Sequence, residues 1–101
     1  MGSMIRVGAK TDIGPGSSVK VEVGGKEIAV FNIDGNFYAI DDTCLHRGGS
    51  LSEGSVEKKV VACPWHGWQY DVTTGGCLTN PAAQLTKYEV KVEGTDVFVS
   101  A

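Results

Sequence analysis

The sequence predicts an all-β domain, an antiparallel sandwich or small barrel. Three observations carry that prediction. Glycine, fourteen of the 101 residues, punctuates a series of short β-branched and aromatic runs. The first clear run alternates apolar and polar residues with a period of two, and no window of eleven or more residues shows helical periodicity. Short strands at regular spacing with glycine turns are the pattern of sandwiches and small barrels.

Taken in order, Ser18 to Val23 places Val19, Val21 and Val23 on one face and Lys20 and Glu22 on the other. Gly24-Gly25 then supplies the positive φ angles that a tight hairpin requires. Lys26 to Ile33 is the return strand, and Asp34-Gly35-Asn36 turns the chain into a strand at Phe37 to Ile40. Ser55 to Cys63 reads as one further strand and Gly67 to Val72 as another, followed by a turn at Thr73-Thr74-Gly75-Gly76. Leu85 to Val92 and Thr95 to Ser100 flank Glu93-Gly94 as a final hairpin. The length is that of one domain spanning residues 1–101. Its middle, about Thr43 to Pro81, is richer in glycine and holds every Cys and His, and so reads as a small lobe inserted in a β base.

Nine Lys and Arg against twelve Asp and Glu give a net charge of −3. That argues against a nucleic-acid partner, which requires basic surface to neutralise phosphates. No apolar run approaches the roughly 20 residues that span a bilayer, and the start of the chain does not read as a secretory signal. The expectation is therefore a cytoplasmic protein with no membrane partner, and a monomer. Gly14-Pro15-Gly16 is a turn; without a following Lys-Ser or Lys-Thr it is not a phosphate loop.

Three cysteines (44, 63, 77) and two histidines (46, 66) are the sharpest signal. An odd cysteine count does not read as a disulfide framework. Both histidines lie within three residues of a cysteine, as Cys44-Leu45-His46 and Cys63-Pro64-Trp65-His66, with sixteen residues between the pairs. Two thiolates and two imidazoles suit tetrahedral zinc or an iron–sulfur centre. Zinc fingers segregate a Cys pair from a His pair. Here each loop carries one ligand of each kind, which suits two metals, with the cysteines on one and the histidines on the other. Cys77 is the odd cysteine and reads as a small buried or half-buried thiol with no role.

Cys44-Leu45-His46-Arg47-Gly48-Gly49 and Cys63-Pro64-Trp65-His66-Gly67-Trp68-Gln69-Tyr70-Asp71, with Thr74-Gly75 and Asn80-Pro81 further on, resemble the Rieske family, relatives of the ferredoxin components of ring-hydroxylating dioxygenases. The resemblance covers essentially the whole chain. It implies a Rieske-like fold, one [2Fe–2S] cluster and the ligand set Cys44, His46, Cys63 and His66. Gly48, Trp65, Trp68, Tyr70 and Pro81 then stand around the cluster, Trp65 as apolar cover and Pro81 on a shielding loop. Arg47 reads as a cation beside the first loop, and Asp41-Asp42 as the solvated end of a strand.

Four thiolates would leave an oxidised cluster a dianion, whereas two thiolates and two neutral imidazoles leave it uncharged. The electron is then easier to add, and Rieske centres span about −150 to +300 mV against about −400 mV for plant-type ferredoxins. High-potential respiratory members add a disulfide between the loops and aim a Ser and a Tyr hydroxyl at the cluster. Gly49 and Trp65 stand in the disulfide positions here and Trp68 in that of the Ser; only Tyr70 is kept. The resemblance therefore implies a low-potential centre.

Such a centre carries one electron and performs no substrate chemistry. Oxygenase members of the family add a mononuclear iron held by two His and a carboxylate, and both histidines here are already assigned. The expected function is a non-enzymatic carrier between a flavin-dependent NAD(P)H reductase and a terminal, aromatic-ring-hydroxylating oxygenase, docking near His46 and His66. The alternatives are a nitrite reductase small subunit, a carrier of another pathway, or a zinc-stapled β binding module. His46-Arg47-Gly48 and His66-Gly67-Trp68-Gln69-Tyr70 also look like the Rieske lobe of the oxygenase subunits themselves.

Overall fold

The structure, a computed structural model, describes residues 4–23, 25–43, 50–64, 68–80 and 82–100. Among the described residues ten strands run in chain order: β1 (Met4–Ala9), β2 (Ser18–Val23), β3 (Lys26–Ile33), β4 (Asn36–Asp41), β5 (Ser55–Glu57), β6 (Val60–Ala62), β7 (Gln69–Asp71), β8 (Lys87–Tyr88), β9 (Val90–Glu93) and β10 (Asp96–Ser100). They form three sheets, β1-β10-β9, β2-β3-β4-β8 and β5-β6-β7, and every pairing is antiparallel. Helical structure among the described residues is limited to 3₁₀ turns at Lys10–Asp12 and Leu51–Glu53. The all-β expectation holds.

Turn chemistry sets the hairpins. Val23 pairs with Lys26 across a two-residue loop in which Gly25 has φ 82°. Ile33 pairs with Asn36, and the two residues between, Asp34 and Gly35, both have positive φ (52° and 89°). That geometry matches the right-handed twist of the strands it joins. The Asn32 side chain fixes this corner: its Oδ1 accepts from Gly35 N at 2.8 Å and its Nδ2 donates to Ile13 O at 2.6 Å.

Three boundaries differ from the sequence reading. Ser55 to Cys63 is not one strand but the β5–β6 hairpin, with Glu57 opposite Val60. Lys58 makes the turn at φ 55° without a glycine, so no turn residue announces it. Leu85 to Val92 divides at Glu89, β8 joining β4 and β9 joining β10. β1 has no counterpart in the sequence reading; its residues are half-buried or exposed without alternation, and pairing with β10 is what extends it.

β3 is the centre of the molecule, with Ile28 to Asn32 buried without a break. Successive side chains point to opposite faces. Ile28 and Val30 pack with Ile13, Ala39, Tyr88 and Val99 on one side. Ala29 and Phe31 pack on the other with Ile40, Leu51, Val61, Cys63, Tyr70, Val72, Cys77 and Leu85. The second face is thus where residues between β4 and β8 meet the sheet. Full burial of each large apolar side chain is worth roughly 1.5–3 kcal/mol.

The chain leaves the four-stranded sheet after β4 and rejoins it at β8, and Asp41 rivets the two points together. Its Oδ1 accepts the Tyr88 hydroxyl at 2.6 Å, its Oδ2 accepts Thr86 N at 3.0 Å, and its own N–H donates to Thr86 O. Burial, then the hydrogen bond to Asp41 and the negative charge of that carboxylate, push the Tyr88 phenol from 10.0 up to about 12. A folded-state value above the unfolded one contributes stability in full below pH 10, and that contribution is lost as pH rises through about 12. Alkaline unfolding monitored by circular dichroism should therefore show stability falling across that window. Tyr88→Phe, less stable at neutral pH, should show a flatter dependence there; an identical slope in both proteins would remove Tyr88 as the cause.

Candidate metal centre

Both cysteine–histidine loops are closed at their bases by described residues. At the first, Thr43 bridges Ser50, Asp42 N donates to Glu27 O on β3 at 3.0 Å, and Leu51 N donates to Asp42 O at 2.7 Å. The Asp42 side chain completes the closure. Its Oδ1 accepts Ser52 N at 2.8 Å and its Oδ2 accepts the Ser50 hydroxyl at 2.6 Å. Ser52 is held in turn by Ser18 of β2, whose hydroxyl donates to Ser52 O at 2.7 Å. Asp42 is 1% exposed, which corrects the reading of Asp41-Asp42 as a solvated strand end. Satisfaction of both carboxylate oxygens is what makes that burial tolerable.

The second loop leaves β6 and returns on β7. Cys63 N donates to Trp68 O at 2.7 Å, and Ala62 pairs with Gln69 and Val61 with Tyr70. A third segment lies along β7. Leu78 N donates to Gln69 O at 2.7 Å, Gln69 N donates to the Thr79 hydroxyl at 3.0 Å, and Tyr70 bridges Cys77. Cys77 is buried, as expected, and its Sγ accepts Asn80 N at 3.3 Å. Asp71 closes the turn that follows β7. Burial pushes its carboxyl up, but the hydrogen bonds from Thr73 and the Lys59 ammonium outweigh that and hold it below the usual range.

One close approach joins the two loop bases. Gly54 follows the 3₁₀ turn beyond the first loop, and Ala62 immediately precedes Cys63. A Cβ on Gly54 would collide with the Ala62 carbonyl oxygen, and would stand 3.2 Å from Leu51 O. With no side chain in the way, the two backbones meet.

Of the residues assigned from sequence, Cys63, Trp68 and Tyr70 are brought together. Cys63, 3% exposed, and Tyr70 share one buried cluster with Leu51, and Trp68 packs against it half-buried. Cys44, His46, Gly48, Trp65, His66 and Pro81, with Arg47 and Gly49, lie outside the described residues. Sequence reasoning misses Asp42, Ser50 and Gly54. The available signal was an acidic residue directly after an apolar strand, with Ser-x-Ser beyond the loop that follows.

The sequence profile of the Rieske [2Fe-2S] domain matches residues 3–98. The chain belongs to the Rieske family. Over 89 residues this Rieske chain is 39% identical to the ferredoxin component of the naphthalene 1,2-dioxygenase/salicylate 5-hydroxylase systems of a Ralstonia species, spanning 87% of the chain and 86% of that relative. Among solved structures, a chain of the complex of reduced oxygenase and oxidised ferredoxin in carbazole 1,9a-dioxygenase superposes with a TM-score of 0.89 at 37% identity, covering 96% of this chain and 92% of that one. A putative NADH-dependent nitrite reductase small subunit from Mycobacterium tuberculosis superposes at 0.93 over the whole of this chain and 96% of that one, but with 22% identity it shares the fold alone.

The cofactor of this Rieske chain is a [2Fe–2S] cluster in which two His replace two Cys on one iron. The residues fit it. Two thiolates and two imidazoles are the donor set required, one of each in either loop. Cys63 is buried at the point where β6 gives way to its loop, a setting that shields a thiolate from water.

Proposed function

We propose that this chain is a ferredoxin component, taking electrons singly from a flavin-dependent NAD(P)H reductase and passing them to a terminal, aromatic-ring-hydroxylating oxygenase. Cys44 and Cys63 hold one iron of the cluster and His46 and His66 the other. The cluster supplies a one-electron couple of low potential. The protein contributes the buried thiolate side, the clamped loop bases and a histidine side that faces partners. Residues 43–81 act as the cluster lobe on the β base. The observation that carries the reading is the 39% identity to a ferredoxin component over most of both chains. These residues contain two histidines, both assigned to the cluster, so none remains for a mononuclear oxygenase iron. The nitrite reductase likeness is one of fold.

Docking near His46 and His66 through an interface under about 1,200 Å² allows rapid exchange of partners. No helix among the described residues is long and apolar enough to cross a membrane. Stopped-flow absorption tests the assignment with purified partners. Catalytic flavoprotein and NADH should bleach the oxidised chain, and a ring-hydroxylating oxygenase should reoxidise it. Turnover with a sirohaem nitrite reductase, and none with oxygenases, would replace this reading with the other. Tyr70, fully buried in the cluster that holds Cys63, supplies a hydroxyl that stabilises the added electron. Tyr70→Phe should lower the midpoint potential with the cluster intact; an unchanged potential would assign that hydroxyl elsewhere.

A further inference from the structure

We infer that Asp42 is a positioning residue for the cluster, clamping the first ligand loop shut and holding the reduction potential down with its buried negative charge. The inference rests on the cluster being held by Cys44, His46, Cys63 and His66, and goes beyond it to a residue that touches no metal. Asp42 is two peptide bonds from Cys44. Its carboxylate takes a hydrogen bond from the hydroxyl of Ser50 and one from the backbone of Ser52, both beyond the far end of the 44–49 segment, while its backbone binds Glu27 and Leu51. Ser50 and Ser52 also share a hydrogen bond at 3.0 Å. One side chain thus fixes where the ligand segment departs and where it returns. At 1% exposure the charge is little screened by salt or water, so it opposes the arrival of an electron nearby.

Asp42→Asn separates charge from geometry. The amide oxygen still accepts Ser52 N and the amide nitrogen donates to the Ser50 hydroxyl, so the loop stays tied while the charge is gone. In the iron-loaded protein, redox titration should show the reduction equilibrium displaced tenfold or more toward the reduced form, 59 mV positive for a one-electron couple. A merely structural residue would leave the potential unmoved, and a loaded Asp42→Asn protein with the parent's potential overturns the inference. Should that variant fail to take up a cluster, Ser50→Ala decides, since it keeps the charge and removes one tie. Its iron should pass to a chelator at least tenfold faster than the parent's, and the parent's rate would overturn the clamp. A parent chain that holds no iron would instead defeat the cluster assignment itself.

Discussion

Cys63→Ala is expected to give a colourless protein with no iron, whereas Cys77→Ser keeps the parent's visible absorption. Cys63 sits where β6 hands over to its loop, and in the proposed ligand set its thiolate is one of four bonds to the cluster. Metal binding in small domains is folding energy. Structural zinc sites contribute about 10–16 kcal/mol, as much as the total stability of about 5–15 kcal/mol of a typical domain. The loss should be uneven. Leu51, Val61, Tyr70 and Val72 pack in the cluster that contains Cys63, while Ile28, Val30, Ala39, Tyr88 and Val99 form a separate one on the other face of β3. Hydrogen exchange should therefore accelerate first at β5, β6 and β7 and least at β2 and β3. Retention of the visible spectrum by Cys63→Ala would show that this thiolate is not a ligand.

The second large effect needs no metal ligand. Gly54→Ala should lower stability by about 3 kcal/mol or more, a fall in melting temperature of roughly 12–24 °C for a domain of this size. The backbone there, at φ −81° and ψ 173°, is one that any residue adopts. The penalty is therefore steric: the new methyl meets the Ala62 carbonyl oxygen, and relief requires moving either the turn after the first loop or the strand that delivers Cys63. Gly14→Ala is the control, since its Cβ would meet only Ser17 Oγ at 3.9 Å. Differential scanning calorimetry on both variants distinguishes contact from propensity, and equal melting temperatures would show that the close approach carries no weight.

These two residues mark how far the sequence could be read. Cys63 and the three residues proposed with it as ligands stand out because ligand chemistry is local: Cys-x-His and Cys-x-x-His are legible without a fold. The β2–β3–β4 hairpins are legible for the same reason, because Gly25, and Asp34 with Gly35, impose their turns on their own neighbours. Lys58 turns the chain without a turn residue, so two strands look like one. β1 depends on β10, more than eighty residues away. Gly54 and Asp42 are hidden more deeply. A glycine looks like punctuation until the strand that crosses it is known, and Asp42 looks solvated until Ser50 and Ser52 fold back onto it.

Parallel assay of iron and acid-labile sulfide in the anaerobically purified chain decides whether it carries the cluster. Two irons and two sulfides per polypeptide are expected, as a Rieske cluster requires. One zinc per chain with neither iron nor sulfide would contradict that expectation.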